Sequence, residues 1–377
     1  MRAGLYIHIP FCRKKCNYCD FYSLPATSHI PDFLSALKLE MNFYRDFWPE
    51  YDTLYVGGGT PSLLKIRYLA DLTQNIQGTF TLSPEAEWTI EINPDDVALS
   101  YLQDLRALGF NRLSLGIQSV DDRNLAWLGR RHTAAQSYQA IEQARKAGFA
   151  NLSLDLIYGL PRGPTGYAHQ LWLHELEQIL AYKPEHLSCY QLSFEPHTPL
   201  SQQVQSGLIK PLDESEELRY FLDTDQHLHA AGYMHYEVSN FSRGGEWISR
   251  HNHKYWQHVP YLGLGPSAHS FRYDHRHWNH RSLTRYSQDI FRGIDPVAGK
   301  EDLGRNEFRM ETLYFGFRTR DGLDLEKFYG QFGQDLLADP PGLANRLIRE
   351  KKLEIRNGRL CPTPRGLALA DALALLW

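Results

Sequence analysis

Apolar residues gather into six short runs along the first half of the chain, at 4–9, 53–56, 87–92, 112–117, 152–158 and 186–192. Runs of this length bounded by glycine, proline or polar residues read as strands. Between and after them, 31–47, 63–76, 99–108, 134–147, 166–181 and 214–231 carry apolar residues at three- and four-residue spacing and read as helices. Three of these helices stop at Gly109, Gly148 and Gly232, each followed by an aromatic residue that starts the next element. Six strand-then-helix repeats predict an α/β fold with a parallel sheet and crossover helices. Curled, the six units make a partial (β/α)6 barrel of the TIM type; an open doubly wound sheet satisfies the same pattern.

A barrel of this kind does its chemistry just past the C-terminal ends of its strands. Each predicted strand ends in polar or glycine-rich sequence. The ends are a cysteine loop after Ile9, then Gly57-Gly58-Gly59-Thr60-Pro61, Glu91-Ile92-Asn93-Pro94, Gly116-Ile117-Gln118-Ser119, Tyr158-Gly159-Leu160-Pro161 and Tyr190-Gln191-Leu192. The glycine triplet lacks the Lys-Ser/Thr of a phosphate-binding P-loop, so a nucleoside triphosphate is not expected; adjacent glycines let backbone approach a ligand closely. Glu91 and Asp155 fall inside strands, where a carboxylate needs a partner.

After about residue 235 the periodicity fades, and a long irregular region is expected through about 285. It is rich in histidine between His227 and His280, with Tyr255 and Trp256 interleaved. Such a segment suits a metal or a haem face, or equally a packed wall on the open side of the barrel. From about 300 a small unit follows: an amphipathic helix over 306–317, helices over 323–332 and 342–351, a hairpin over 353–361 turning at Asn357-Gly358, and a closing helix over 367–377. Helices followed by a hairpin wing resemble a winged-helix arrangement. The expected division is 1–235 for the barrel, 236–295 for a connecting region and 296–377 for the C-terminal helical and winged unit.

Bulk properties narrow the class. The chain has 377 residues, 42% hydrophobic and 22% charged, with a net charge of −4. That is an ordinary globular composition, and it gives no electrostatic case for nucleic acid, even for the winged unit. No run of about 18 apolar residues is present, and the N-terminus lacks the apolar core of a signal peptide.

Three of the five cysteines, Cys12, Cys16 and Cys19, stand in a C-x3-C-x2-C spacing directly after the first strand. An odd number with the others far away fits a disulfide framework poorly, and three sulfurs fall one short of a closed zinc site. A four-iron cluster held by three thiolates keeps one iron open for an exchangeable ligand. Arg13, Lys14 and Lys15 favour thiolates and an anionic cluster. Thiols assembled for a metal imply a reducing compartment, hence the cytoplasm. Cys189 and Cys361 read as isolated core or surface thiols.

The cysteine spacing resembles the signature of the radical S-adenosylmethionine (SAM) superfamily, in which three cysteines hold a 4Fe-4S cluster whose fourth iron is chelated by SAM. The joined set is narrower. Residues 6–12 (YIHIPFC), 16–21 (CNYCDF), 57–61 (GGGTP), 91–94 (EINP), 116–119 (GIQS), 128–132 (LGRRH) and 155–161 (DLIYGLP) resemble the oxygen-independent coproporphyrinogen III oxidase family over nearly the whole chain. True oxidases of that family carry a further cysteine two places after the third and a longer N-terminal arm. Here Asp20-Phe21 stand in that place, and only five residues precede Tyr6. The sequence His251-Asn252-x-x-Tyr255-Trp256 is similar to a motif of the family's haem-chaperone branch. The resemblance to that branch implies a carrier that binds haem and passes it to acceptor proteins, respiratory ones among them. The alternative is SAM-dependent oxidative decarboxylation in porphyrin synthesis.

By the same resemblance, Cys12, Cys16 and Cys19 hold the cluster. Tyr6, Tyr18, Gly58, Gly59, Thr60, Glu91, Gln118, Arg130 and Asp155 match positions that contact SAM, and His251 matches the haem-associated motif. Around it, His251 or His253 suits the iron, Tyr255 and Trp256 the ring, and Lys254 and Arg250 the propionates. A purely structural tie of the loop by His251 and Asn252 is the competing reading. Membrane contact would be peripheral, through acceptors, and both a monomer and a homodimer stay open.

Overall fold

A computed structural model describes residues 2–161 and 168–377. By internal contacts it divides into two compact units that interleave along the chain: Met1–Leu212 with Val259–Glu301, and Asp213–His258 with Asp302–Trp377. The expectation divided the chain sequentially at 235 and 295. By contacts, the helix predicted after the sixth strand groups with the C-terminal unit instead, and 259–301 groups with the barrel.

In the first unit the six predicted strands all form: β1 (Ala3–Ile9), β2 (Tyr51–Gly58), β3 (Leu82–Ile92), β4 (Arg112–Gln118), β5 (Asn151–Tyr158) and β6 (His186–Gln191). They lie in the order β1-β2-β3-β4-β5-β6, each parallel to the next. A doubly wound sheet reverses its strand order partway, and this one does not. The strands alternate with helices α1 (Ile30–Phe43), α2 (Ile66–Thr79), α3 (Leu99–Ala107), α4 (Asp122–Leu128), α5 (Ala134–Lys146) and α6 (His169–Leu180), followed by α7 (Pro199–Gln205). The expected start of the helix over 166–181 lies outside the described residues. The three predicted stop glycines do end their helices, with positive φ at Gly109, Gly148 and Gly232.

Alternation along the strands sorts core from lumen. On β1, Leu5, Ile7 and Ile9 are fully buried, while the intervening Tyr6 meets Tyr55 of β2 with ring centroids 6.1 Å apart. At Tyr6, Glu91, Gln118 and Asp155, strands that are otherwise closely packed are only half-buried. Solvent therefore reaches them from within the curled sheet.

The region expected to be irregular is mostly ordered. In the first unit it supplies β9 (Tyr261–Leu264), β10 (His269–Arg272) and β11 (His275–Asn279), and α10 (Leu283–Phe291) and β12 (Val297–Asp302) follow it; β7 and β8 belong to the second unit and are given below. Strand β9 pairs parallel to β1 on the side away from β2, and β10 and β11 extend the sheet antiparallel. These strands are short and carry histidine and arginine, so no period-two apolar signal announces them.

The anchor of this segment is Glu40, on the core stripe of α1 beside Phe33, Ala36, Leu37 and Met41. Its fully buried carboxyl accepts from Gly265 N (2.8 Å), Asn279 Nδ2 (2.5 Å) and the Tyr286 hydroxyl (2.6 Å). One carboxyl thus ties α1 to the turn after β9, to β11 and to α10.

The second unit contains α8 (Glu214–Ala230), the hairpin β7 (Met234–Glu237) and β8 (Asn240–Ser242), and α9 (Arg250–Trp256). It continues with α11 (Arg305–Phe317), β13 (Leu323–Asp324), α12 (Leu325–Phe332), α13 (Leu343–Arg349), β14 (Leu353–Arg356) and β15 (Arg359–Pro362). Leu313, Phe317, Phe328, Leu347, Leu353 and Leu360 share one apolar core. Asn357 and Gly358 take φ of 50° and 73°, as the predicted type I′ turn requires. The closing helix is a correction: 367–377 is not continuous but splits into α14 (Pro364–Leu367) and α15 (Ala370–Ala374).

Burial pushes Glu40 up to about 7. A carboxyl raised in the folded state is protonated there while the unfolded chain has already released its proton. Stability is therefore full below the unfolded pKa and falls as pH rises towards 7, then levels. Glu40→Gln should flatten that fall by roughly 3 kcal/mol between pH 4.5 and 7, read as the difference between the pH profiles of urea unfolding for the two proteins. Parallel profiles would show that Glu40 does not titrate in this window.

Candidate functional site

The cysteine loop leaves β1 and is closed at its base by backbone pairing. Cys12 N donates to Leu24 O (3.0 Å), and Leu24 N to Pro10 O (2.8 Å). Its middle is pinned by Asn17, whose Nδ2 donates to Trp127 O (2.8 Å) and whose N donates to Leu128 O (3.1 Å), at the end of α4. Its exit is held where the Tyr22 hydroxyl accepts from Leu283 N (2.7 Å). The loop is thus fixed at base, middle and exit, with the three thiols partly exposed between the anchors.

The thiols are close enough to repel one another as thiolates. Desolvation is the main influence on two of them: it raises Cys12 and brings Cys19 to about 11, with the neighbouring sulfurs adding to the rise. Bound iron would reverse this, since a coordinating thiol is deprotonated outright. Among the described residues no three His, Cys, Asp or Glu side chains close on a single metal ion.

Around the sulfurs lies one connected network. Cys12 Sγ is 3.1 Å from Thr60 Oγ1, and Thr60 Oγ1 accepts from Asn93 Nδ2 at 3.3 Å. Asn93 Oδ1 accepts from Arg130 Nη2 at 2.7 Å, and the same nitrogen donates to Gly116 O at 2.8 Å. Arg130 Nη1 reaches Cys16 Sγ at 3.6 Å. A Cβ on Gly116 would lie 3.0 Å from Gln118 Nε2 and 3.2 Å from Arg130 Nη2, so a larger residue would crowd both. Gln118 sits at φ 67°, where the register with β5 slips. Desolvation opposes the Arg130 charge, but Tyr18, Cys16 and Asp95 outweigh it and raise the group further. The Nε of Arg130 is out of contact with water and has no hydrogen-bond partner among the described residues.

Deeper in the lumen, Glu91 accepts from the Tyr55 hydroxyl (2.8 Å) and Gly58 N (3.0 Å). Desolvation raises Glu91 to about 7, and Asp155 adds to the rise. Asp155 is itself raised by desolvation, against hydrogen bonds from Ser114 Oγ at 3.0 Å and Ser153 Oγ at 3.4 Å. The barrel residues picked out by sequence all fall in this one unit; Thr60, Arg130 and Tyr18 interact with the cysteines, while Glu91 and Asp155 interact with each other. Sequence reasoning missed Asn93 and His8. Asn93 was legible, because period two puts it on the same face as Glu91. His8 is buried in β1, with Nδ1 2.9 Å from the Tyr6 hydroxyl and Nε2 2.9 Å from Tyr22 O. Its alternation with the apolar residues of β1 was the available signal.

His251 lies in the second unit, on α9, which is capped by Ser249. It is 1% exposed, and its Nε2 is 2.9 Å from the Tyr255 hydroxyl one turn on. His253 is partly buried, and desolvation lowers it. Lys254 is buried and Arg250 exposed.

A family model described as the radical SAM superfamily matches residues 6–163, and one described as the HemN C-terminal domain matches 303–369. The chain is therefore a radical SAM protein, a class whose members carry a 4Fe-4S cluster and SAM. It is 37% identical to a protein of Mycobacterium tuberculosis named heme chaperone HemW, over 98% of this chain and 93% of the relative. The corresponding HemW of Bacillus subtilis is 32% identical over 97% and 96%. A mitochondrial radical S-adenosyl methionine domain-containing protein 1 of Bos taurus is 36% identical over 99% and 87%. On this showing the chain belongs to the HemW family. Its fold is that of coproporphyrinogen III oxidase (HemN) from Escherichia coli, with a TM-score of 0.83 at 23% identity, covering 99% of this chain and 89% of the other.

Gly58 has φ 110°, and a Cβ there would stand 2.7 Å from the His8 ring. Gly58→Ala should cost about 2–4 kcal/mol, read as a fall in the thermal midpoint; an unchanged midpoint would show that the turn relaxes freely.

Proposed function

We propose that this chain binds haem and passes it to acceptor proteins, and that it holds a SAM-chelating 4Fe-4S cluster on Cys12, Cys16 and Cys19. The observation that carries the reading is the 37% identity to a protein named heme chaperone, over 93% of that protein's length. The likeness to coproporphyrinogen III oxidase concerns the fold and leaves oxidative decarboxylation as the alternative.

The residues suit the expected groups. Three thiols on one anchored loop match a cluster that keeps one iron open. With the cluster in place, that open iron would be available to the amino and carboxylate groups of SAM, as the family resemblance implies. The unpartnered Nε of Arg130 suits a carboxylate, and Gln118, Glu91 and Asp155 supply polar partners along the half-buried lumen. Tyr6, Tyr18, Gly58, Gly59 and Thr60 complete the proposed SAM contacts.

For haem, the segment from His251 to Trp256 remains the proposed site. Ligation of haem iron through His251 Nε2 would require that nitrogen to give up the Tyr255 hydroxyl. The acceptors are proposed to be haem proteins, respiratory ones among them, met in the cytoplasm or at the membrane surface. No helix of the described residues is long and apolar enough to cross a membrane.

Haem titrated into the purified protein should give a saturable Soret band near one equivalent, and apomyoglobin, used as a stand-in acceptor, should then take the haem up. Absence of binding, or multiple-turnover anaerobic decarboxylation of coproporphyrinogen III, would replace the carrier reading with the oxidase one. His251→Ala should weaken haem binding and shift the Soret maximum; an unmoved spectrum and affinity would remove His251 as ligand.

Anaerobic reconstitution should load about four irons per chain, and Cys16→Ala should abolish loading. SAM should perturb the EPR signal of the reduced cluster, less so in Arg130→Ala. Zinc uptake without iron would overturn the cluster assignment.

A further inference from the structure

We propose that Asn93 is a positioning residue that sets the reduction potential of the cluster, by aiming two hydrogen-bond donors at two of its cysteine sulfurs at once. This rests on the cluster reading above and deepens it.

The two ends of the Asn93 amide meet different partners. Asn93 Oδ1 accepts from Arg130 Nη2 at 2.7 Å, and Nδ2 donates to Thr60 Oγ1 at 3.3 Å. The reverse amide orientation would face a guanidinium N–H with an N–H, so the network fixes which end is which. Each contact has a consequence one bond further on. A Cys12 thiolate on the cluster has no proton to give, so across the 3.1 Å contact the Thr60 hydroxyl is the donor, and the Asn93 amide on its oxygen holds it in that orientation. With Nη2 held by Asn93 and Gly116 O, the guanidinium plane is fixed and Nη1 points at Cys16 Sγ, 3.6 Å away. Asn93 itself touches no cysteine through the contacts described, and acts through its two neighbours.

Its own place is well determined. It directly follows β3 and precedes Pro94, which holds it extended, with ψ 140°. Its backbone N donates to Ser62 Oγ (3.3 Å), which in turn donates to Asp96 Oδ2 (3.1 Å). The amide is thus supported from behind as well as from both sides.

A one-electron reduction adds negative charge to the cluster and its sulfurs. Donors directed at those sulfurs stabilise the reduced form more than the oxidised form and raise the potential. Removing the amide frees Arg130 to turn and lets the Thr60 hydroxyl turn to other acceptors, so the potential should fall.

The test is a potentiometric EPR titration of the reconstituted protein without SAM, which keeps SAM binding by Arg130 out of the readout. Asn93→Ala should load iron as the wild type does and show a lower midpoint potential. Thr60→Val, which keeps the shape and removes the hydroxyl, should lower it by a smaller step. The double variant should fall by less than the sum, because one amide serves both donors. Asn93→Asp keeps the acceptor for Arg130, loses the donor to Thr60 and adds charge, and should also lower the potential. A wild-type midpoint in Asn93→Ala and Asn93→Asp with full iron overturns the proposal and leaves the cluster reading intact. Loss of iron from both in a protein folded by circular dichroism also overturns it, since the role is then assembly. A wild type that takes up no iron sinks the cluster reading itself.

Discussion

The barrel mouth is organised around a half-buried guanidinium whose Nε is out of contact with water and which has no carboxylate bonded to it among the described residues. The acceptors described for Arg130 are an amide oxygen, a backbone carbonyl and a thiol sulfur, with Asp95 acting only from a distance. A charge in such surroundings is tolerable only if several weaker acceptors converge on it. Their convergence determines much else. Gly116 has to be glycine-sized, Asn93 has to follow its strand at that height, and the cysteine loop has to be pinned by Asn17 so that Cys16 comes within reach. A site arranged around positive charge of this kind favours an anionic cluster and the carboxylate of an amino acid.

Strand and helix periodicity carried the barrel, because each repeat is built from local signals: a buried apolar run, then a stripe at helical spacing, then a glycine stop. The site was legible for a related reason. In a parallel barrel the functional residues fall at strand ends, and the polar residues there interrupt otherwise apolar runs. Asn93 stands in one of those strand-end motifs without a role of its own, although its alternation with Glu91 marks it as facing the lumen. The stretch from 259 to 301 was not legible. Its strands are held by pairing with β1 and by the buried carboxyl of Glu40, more than 200 residues away in sequence. Nothing local in a histidine-rich segment announces that partner. Glu40 itself was the clue, an acid in the middle of an apolar helical stripe.

The histidine motif illustrates how differently one residue reads in sequence and in three dimensions. In sequence, His251-Asn252-x-x-Tyr255-Trp256 offers imidazole, aromatic cover and neighbouring cations. In the folded unit the imidazole is buried and bonded within its own helix. The polarity that makes the motif look like a ligand set is spent, at Nε2, on the Tyr255 hydroxyl of the same helix.

Strand β1 has neighbours on both sides, β2 on one and β9 on the other, so the segment that launches the cysteines has no free edge. The scaffold under the metal loop therefore owes its order to hydrogen bonding and apolar packing that exist without any metal. Small zinc domains gain their fold from the ion, and chelation unfolds them. Loading iron and sulfide onto the loop would therefore not be needed to form the strand beneath, which, paired on both sides, is expected among the last parts of the protein to open. Oxidative loss of the cluster would accordingly leave a folded and refillable protein.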